Sequence, residues 1–516
     1  MLPSVSENFQ EEKIMTQPLI TSRTDWNEGL INNITKIIEE VAHEELDIDP
    51  SKDIYPNQIE IIPAEMMIDA YASVGMPVNY SHWSFGKEFL KNWTKYQKGR
   101  MGLAYEIVIN SNPCISYLME ENPAITQALV IAHAAIGHNF VFKNNFMFRE
   151  WTTPSSIIDY MIFAKNYIKE CEEKYGEDEV EQLLDAAHAL STHAVDKQKR
   201  KHKKKKTEED KLKEEAKKAD DKHKDMDIII QTTSVVAPEK EKTDQDLDRV
   251  NDEENILYFI YKHAPNMPQW KKEILRIVYK IQQYFYPQGQ DKTLNEGMAT
   301  FTHFHIMDTL EQRGIISPDA QLAWLHLHSN VVYQPNMRSK HYDGSFNPYA
   351  LGLDILREIK RICEYPTKED QEWFPHLAGE DWRKQIKLAV TDYRDESFIE
   401  QFLTPNLMRK YNMMSVNYTG SKGIVTEISD DIGYRNMRRS LAAQYNPINF
   451  IPDIVVSGAR MRADRMLTLE YRPYLGRSLH EATAKKTLAH VKALWGYDVE
   501  IVENAGDDVY RVLYRT

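Results

Sequence analysis

The sequence predicts a mainly α-helical protein, with a large helical N-terminal and central part and a small C-terminal α+β domain. Through most of the first 363 residues, apolar side chains recur every three or four positions, which places them on one face of a helix. Strand-like runs cluster after residue 420. A charged stretch interrupts the helical part, because residues 197–225 contain 14 Lys/Arg and 8 Asp/Glu in 29 positions.

The helical part begins with an amphipathic segment at residues 25–47. Leu30, Ile34 and Ile38 follow helical spacing there, and Asp25 with Glu28 fits a capping box. The same spacing, with prolines at starts and glycines after ends, predicts later helices at 63–74, 81–99, 124–142, 155–175, 178–192, 252–263, 269–285, 295–313, from 317 onward, and 347–363. Residues 103–109 are predicted to be a strand or otherwise buried.

The C-terminal part alternates strands with one helix. Ser478 and Glu481 fit a capping box for a helix that ends at Trp495, followed by Gly496. A strand, helix, strand, strand order is typical of a small α+β unit. The predicted strands are residues 423–428, 453–457, 466–471, 497–503 and 508–514.

These patterns divide the chain into five segments. We predict a flexible tail at residues 1–24, a helical first half at 25–196 and a charged flexible linker at 197–250. A helical second half of the same core follows at 251–405, and a small α+β domain at 406–516. The linker assignment follows from composition, since so charged a stretch buries too little apolar area to offset its ordering entropy. Alternatively, its basic run 197–206 binds nucleic acid or an anionic surface.

Composition excludes several classes of protein. The net charge of -14 argues against general nucleic-acid binding, apart from the basic run. The three cysteines are far apart and form no CxxC pair, which indicates a reducing cytoplasm rather than a disulfide framework. No run of about 18 apolar residues predicts a membrane span, and the N-terminus does not have the pattern of a secretory signal.

Two apolar helices carry ionisable groups that could bind a divalent metal, zinc or iron. His133 and His138 lie on the first, and Glu296 and His303 on the second. In a straight α-helix, five residues turn about 140°, so the first pair can share a metal only if Gly137 ends or distorts the helix. The second pair shares a face with Thr300 between them, but about 10 Å separates them along the axis. Alternatively, all are hydrogen-bonded core residues.

The segment LNEGMATF resembles the glutamate helix of gluzincin aminopeptidases, whose glutamate is a zinc ligand. The resemblance implies that Glu296 joins His133 and His138 at a metal. Ala134 stands where a zinc peptidase carries its general base. Glu106 or Glu120 is the alternative base, although nothing in the sequence places either nearby.

Further polar residues are candidates for ligand binding. Asn144 and Asn145 follow the apolar helix, where they either terminate it or point amides into a pocket. Asn139, which follows His138 within that helix, is a further candidate. A long polar segment, 326–352, suits anion or peptide recognition, or is a connection held by its own side chains. The candidates within 326–352 are His328, Arg338, Lys340, His341 and Tyr342, and Thr300, between Glu296 and His303, is a further one.

Six long strings identify the chain as similar to the SpoVR (stage V sporulation protein R) family, over roughly residues 24–500. They are MPVNYSHWSFGKEF, YEIVINSNPCISYLMEENP, VIAHAAIGHNFVFKNNFMF, IDYMIFAKNYIKECEEKYG, NEGMATFTHFHIM and HSNVVYQPNMRSKHYDGSFNPYALG. The resemblance implies a cytoplasmic protein linked to assembly of the spore cortex, or to stress and starvation in bacteria that do not sporulate. It also implies a serine protein kinase and a von Willebrand-type protein as partners, but no reaction.

Two hypotheses for function follow. The favoured one is a regulatory or effector protein in sporulation- or stress-linked assembly of the cell envelope, acting through protein partners. The alternative is a metal-dependent hydrolase with a His/Glu site between the two helical halves. The sequence alone leaves open whether the protein is an enzyme.

Overall fold

A computed structural model describes residues 17–73, 76, 79–97, 106–197, 249–253, 255–335, 345–419, 422–428, 430–461, 463–474, 476–504 and 510–516. Its contacts divide the chain into two units. The first combines Met1–Glu181 with Tyr284–Phe450, and the second combines Gln182–Gln283 with Ile451–Thr516. The protein is mainly α-helical with a small C-terminal α+β part, as predicted. Most of the predicted linker, and all of 336–344, lie outside the described residues.

Up to the linker, the elements are α1 (Glu28–Leu46), β1 (Asn57–Ile62), α2 (Ala64–Ala72), α3 (Trp83–Gln97), β2 (Glu106–Ile109), β3 (Cys114–Met119), α4 (Ala124–Ile131), a π-helical segment (Ala132–His138), α5 (Asn139–Asn144), α6 (Phe146–Trp151), α7 (Ile157–Tyr175) and α8 (Glu177–His188).

After the linker, the chain forms β4 (Arg249–Glu253), α9 (Ile256–His263), α10 (Gln269–Gln290), α11 (Lys292–Gln312), α12 (Pro318–Val331), α13 (Pro348–Glu364), α14 (Lys368–Trp373), α15 (Trp382–Asp392), α16 (Asp395–Phe402), α17 (Pro405–Lys410), β5 (Met414–Thr419), β6 (Lys422–Glu427), α18 (Asp431–Ala443), β7 (Asp453–Ala459), β8 (Leu467–Arg472), α19 (Glu481–Trp495), β9 (Val499–Asn504) and β10 (Tyr510–Arg515).

Helix α1 begins at Glu28, and its N-cap is Asn27, two residues after the predicted cap at Asp25. The Asn27 side chain accepts a hydrogen bond from the Leu30 N–H, so the capping box predicted from Asp25 and Glu28 is wrong. Before this helix, the Ile20 side chain is fully buried and its backbone pairs with Ile315 and Ser317. Ile20, which lies within the segment predicted as a tail, is therefore held against the start of α12.

A small sheet lies in the first unit, in the order β1-β3-β2. Strand β1 runs parallel to β3, and β2 runs antiparallel to β3. One apolar cluster joins this sheet to α2, with Ile62, Met67, Ile68, Ile107 and Met119 as its buried members. Among the described strands β2 is at the edge of the sheet, and its first residue is Glu106.

Helix α11 is the centre of the first unit and packs closely against two neighbours. Gly137 in the π-helical segment lies against Ala299, because a Cβ at this glycine would be 2.5 Å from the Ala299 Cα. On another side Gly297 meets Gly352 of α13, where an added Cβ would be 2.6 Å from the Gly297 Cα. Only glycine allows backbones to approach this closely.

We expect Gly352→Ala to lower the free energy of unfolding by about 1–3 kcal/mol, because the new methyl group overpacks the α11–α13 contact. Chemical denaturation measures the change. Gly86→Ala is the matched control, since its Cβ would meet no atom within 4 Å in helix α3. That control should gain about 0.5–1 kcal/mol from helix propensity. Equal stability of the two variants would contradict the close packing.

The second unit contains a five-stranded sheet in the order β10-β9-β8-β7-β4. Strands β8 and β9 are parallel and α19 connects them, while the other neighbours are antiparallel. Helix α19 buries Leu488, Val491 and Trp495. Its N-cap is His480, whose side chain accepts from the Thr483 N–H, so the capping box predicted from Ser478 and Glu481 is wrong.

One helical stretch, Ala124–Asn144, has the length and composition of a membrane span. Its apolar window is wholly buried inside the protein, as expected of a core helix. All three cysteines, Cys114, Cys171 and Cys363, are buried and free.

Candidate metal centre

The π-helical segment brings His133 and His138 together. Its hydrogen bonds run from each residue to the fifth one along, so residues five apart lie on nearly the same face. The two imidazole rings have centroids 4.7 Å apart, and both residues are buried. The sequence allowed a shared site only if the helix was distorted near Gly137, and the distortion is a run of π-helix from Ala132 to His138.

Two carboxylates face these imidazoles. Glu106, at the start of β2, has its Oε1 3.3 Å from His133 Nε2 and 4.0 Å from His138 Nε2. Glu296, on α11, has its Oε2 3.7 Å and 3.5 Å from the same two nitrogens. Ligand atoms around one tetrahedral zinc are about 3.4 Å apart. The four histidine–glutamate distances are therefore close to those around one small cation, and the ligand atoms of Glu106, His133 and His138 all lie within 4.8 Å of one another.

Hydrogen bonds on the far side of each ring orient the histidines. His138 Nδ1 is 2.9 Å from the Asn295 Oδ1. An amide oxygen can only accept, so this nitrogen carries the proton and Nε2 presents its lone pair to the carboxylates. Metal-binding histidines in proteins are usually held in this way.

His133 is held by a chain of imidazoles. Its Nδ1 lies 2.9 Å from His303 Nδ1, and His303 Nε2 lies 2.9 Å from His328 Nδ1. Two assignments of protons satisfy both bonds, one in each direction along the chain. In the assignment that metal ligation requires, His133 donates from Nδ1, and His303 accepts at Nδ1 and donates from Nε2. In that assignment His133 Nε2 also faces the carboxylates with a free lone pair.

The surroundings of Glu106 and Glu296 give their carboxyl groups different pKa values. Burial, with a further contribution from nearby Glu296, raises the pKa of Glu106 to about 7, although His133 opposes the shift. Burial also acts to raise the pKa of Glu296, but His133 and His138 outweigh it and lower that pKa below its usual value. At neutral pH Glu296 is therefore an anion, and Glu106 is near its point of half-protonation.

The histidines also differ. Burial acts to lower the pKa of His133, yet the carboxylates of Glu106 and Glu296 outweigh it and raise the pKa. Burial lowers the pKa of His138 to about 4 despite nearby Glu296. Burial, followed by neighbouring His133, holds the pKa of His303 well below its usual value. His138 and His303 are therefore neutral near pH 7, as ligation and hydrogen-bond acceptance require.

Each of the two glutamates has one side-chain oxygen that lacks a hydrogen-bond donor among the described residues. Glu106 Oε2 and Glu296 Oε2 are buried, and in the part of the chain that the structure describes neither accepts a hydrogen bond within normal distance. A buried carboxylate oxygen without a partner is costly, because it loses the hydration it had in the unfolded chain. A bound cation would remove that cost.

The cluster opens into a pocket of about 360 Å³ that lies wholly in the first unit. Tyr349 lines it, and its ring stacks on that of His133. Burial, and then the Glu296 and Glu106 carboxylates, raise the pKa of Tyr349, so its hydroxyl stays protonated and able to donate. Other lining residues are Tyr71, Met76, Ile107, Val108, Ile109, Phe142, Tyr284, Phe285, Gln288 and Lys292.

The three candidate asparagines bond to backbone or to a neighbouring side chain, outside the pocket. Asn139 bonds to both backbone groups of Tyr55 and to the Asn57 side chain. Asn144, the last residue of α5, donates to the Asp53 and Phe140 carbonyls. Asn145 caps α6 and donates to two carbonyls near the end of α15. Asn144 and Asn145 lie at the end of α5, as the helix-terminating alternative predicts, and none of the three asparagines lines the pocket.

The remaining candidates take different places. Thr300 is fully buried on α11 and does not line the pocket, while His303 and His328 form the imidazole chain behind His133. Arg338, Lys340, His341 and Tyr342 lie outside the described residues. Glu120 is exposed after β3, so of the two glutamates considered as a base, Glu106 is the one at the site.

Sequence reasoning missed Asn295 and Tyr349 and left Glu106 unplaced. Asn295 directly precedes Glu296 in the NEG string, and this adjacency was an available signal. Nothing local marks Glu106 or Tyr349, because each comes to the site from a separate element, β2 and α13.

Comparisons with known proteins agree with the resemblance seen in the sequence. The family described as SpoVR like protein matches residues 25–450, and the family described as SpoVR-like C-terminal domain matches residues 452–506. The uncharacterized protein YcgB of Escherichia coli (strain K12) is 47% identical over 471 residues, which cover 90% of each chain. No solved structure matches the chain.

Proposed function

We propose, from the premise that this chain belongs to the SpoVR family, that its first unit is a metal-dependent hydrolase of amide or peptide bonds. One observation supports this above all others. Each of two imidazole Nε2 atoms lies 3.3–4.0 Å from each of two carboxylates, in a buried cluster that opens to a pocket. Two histidines and a glutamate are a ligand set of catalytic zinc sites.

The four side chains divide into two roles. His133, His138 and Glu296 would hold the cation, since Glu296 remains an anion and both Nε2 lone pairs face it. Glu106 would act as the general base, because its pKa of about 7 suits proton transfer at neutral pH. A bound divalent cation supplies Lewis acidity, which polarises the scissile carbonyl and acidifies water.

Proton movement then follows from the positions of the residues. Glu106 takes a proton from the attacking water and delivers it to the leaving amine, so the carboxylate is regenerated in each cycle. The Tyr349 hydroxyl, beside Glu296, donates a hydrogen bond to the oxygen on which charge develops. His303 keeps His133 in the tautomer that ligation requires.

The lining of the pocket favours a peptide-like substrate. All four residues of β2 line it, and β2 is at the edge of the sheet among the described strands. An edge strand offers backbone donors and acceptors to an extended chain. The volume of about 360 Å³ is within the range of small-ligand sites, which suits a few residues around the scissile bond.

Metal analysis of the full chain tests this proposal. Protein purified without a histidine tag should contain close to one zinc or iron per chain by mass spectrometry, and chelation should remove it. Metal-loaded protein should cleave members of a library of fluorogenic peptides, and the chelated protein should not. Protein that neither retains nor rebinds zinc or iron in any preparation would overturn the proposal.

A further variant distinguishes a residue that binds the metal from one that only orients a metal ligand. We expect His303→Leu to weaken metal affinity about 10- to 100-fold without abolishing it, because the variant loses the partner of His133 Nδ1. His305→Leu, on the same helix and outside the pocket, should leave affinity unchanged. Competition with a chromogenic chelator measures both. Complete loss of metal in His303→Leu would instead make His303 a ligand.

The cellular setting that we propose for this activity is cytoplasmic, in sporulation- or stress-linked assembly of the cell envelope. Membership of the SpoVR family supports it. A serine protein kinase and a von Willebrand-type protein are the proposed partners. Affinity purification of the full chain from stressed cells should recover them, and repeated failure to do so would remove this part of the proposal.

A further inference from the structure

A second pocket, of about 310 Å³, lies in the first unit between α16 and α18. None of its lining residues lines the metal pocket. Three arginines of α18, at positions spaced i, i+3 and i+4, line it, and α16 supplies polar groups. The lining residues are Tyr393, Ser397, Glu400, Gln401, Arg435, Arg438 and Arg439.

The charges in this pocket are not balanced. Three guanidinium groups face one carboxylate, that of Glu400, and within the described residues no ion pair involves any of the three. Neighbouring arginines behave differently, since Arg394 pairs with Glu396 at 2.7 Å and Arg409 with Glu369 at 2.6 Å. Arg435 and Arg439 are exposed, so solvent screens part of the repulsion among the three cations, and a bound anion would offset the remainder.

Aromatic contacts hold two of these arginines in place. The Arg435 guanidinium lies 4.5 Å from the centre of the Trp373 ring, and that of Arg438 lies 5.1 Å from the same ring. Arg438 also donates from Nη1 to the Gln401 carbonyl at 3.4 Å. Stacking on a ring reduces the entropy that an arginine loses on binding, so the cluster is organised before any ligand arrives.

Partial burial of the charged Arg438 side chain costs free energy, and a bound anion would offset that cost. Arg438 is half-buried, and burial together with neighbouring Arg435 lowers its pKa from the usual value. A guanidinium remains charged even so, because its ordinary pKa lies far above neutral pH. Its proton-bearing fork is therefore available for a bidentate bond to an anion.

We propose that this pocket binds the phosphate dianion of a small phosphorylated molecule. The net charge of the lining, three cations and one anion, is +2 and matches a phosphate monoester near pH 7. Guanidinium forks fit phosphate oxygens bidentately, and the Tyr393 and Ser397 hydroxyls add possible donors. The volume is at the lower end of the range for small-ligand sites.

Calorimetric titration of the full chain with inorganic phosphate and with glycerol 3-phosphate tests the proposal. Saturable binding is expected for both, and added sodium chloride should weaken it through screening. Arg438→Ala should weaken it at least tenfold. Arg438→Lys, which keeps the charge but loses the fork, should weaken it less. Circular dichroism verifies that each variant is folded.

Arg511→Ala is the matched control, because it removes one arginine from an exposed ion pair in the second unit. It should bind phosphate as the unaltered chain does. The proposal is overturned if the unaltered chain binds neither probe saturably, or if Arg438→Ala and Arg511→Ala bind equally well. Binding of a phosphorylated peptide without binding of either small probe would also overturn it.

Discussion

Glu296→Gln is expected to lower the affinity of the first unit for zinc or iron by more than about a hundredfold. The amide keeps the size of the side chain but removes the negative charge that lies 3.5 Å from His138 Nε2 and 3.7 Å from His133 Nε2. Even residues that only support a ligand contribute 10- to 100-fold to affinity, so a direct ligand should contribute more. Competition with a chelator, followed by mass spectrometry of the desalted protein, measures the loss.

The same helix provides a control for this substitution. Glu311→Gln makes the identical chemical change on α11, away from the pocket, and should leave metal content unchanged. His133→Ala should resemble Glu296→Gln, since each removes one of three proposed ligands. If Glu296→Gln retained a full complement of metal, this glutamate would not be a ligand.

Glu106→Gln is expected to leave the metal bound and to slow hydrolysis by about 10²- to 10⁴-fold, the usual contribution of a positioned general base. An amide cannot accept the proton of the attacking water. Metal content and turnover are therefore measured on the same preparation. Glu120→Gln, at an exposed position beyond β3, is the control and should affect neither quantity.

This role also predicts a pH dependence. Glu106 must be ionised to act as a base, and its pKa is raised to about 7, so activity should rise with pH and reach half its maximum at or below about pH 7. A bound cation favours the carboxylate and moves that midpoint lower. The acidic limb should disappear in Glu106→Gln. Loss of metal in this variant would show instead that Glu106 is a ligand, and the two glutamates would exchange roles.

Local patterns were enough to predict most of the elements in the chain. Apolar spacing predicted α1, α2, α7, α11 and α13 close to their observed bounds, because burial of one helix face leaves a periodic record in the sequence. The caps were less predictable. Asn27 and His480 cap their helices, although Asp25 and Ser478 fit the expected motifs, since several polar residues compete at each start.

The sequence by itself determined the family, the mainly helical fold with its α+β end, and His133, His138 and Glu296 as possible metal ligands. Only the tertiary structure decided that His133 and His138, five residues apart, can share one metal site. Their proximity depends on a π-helical segment packed against α11. The tertiary structure also decided that Glu106 completes the cluster and that His303 lies behind His133. Periodicity records which face of a helix is buried, whereas convergence of side chains from separate elements depends on packing between residues far apart in the chain.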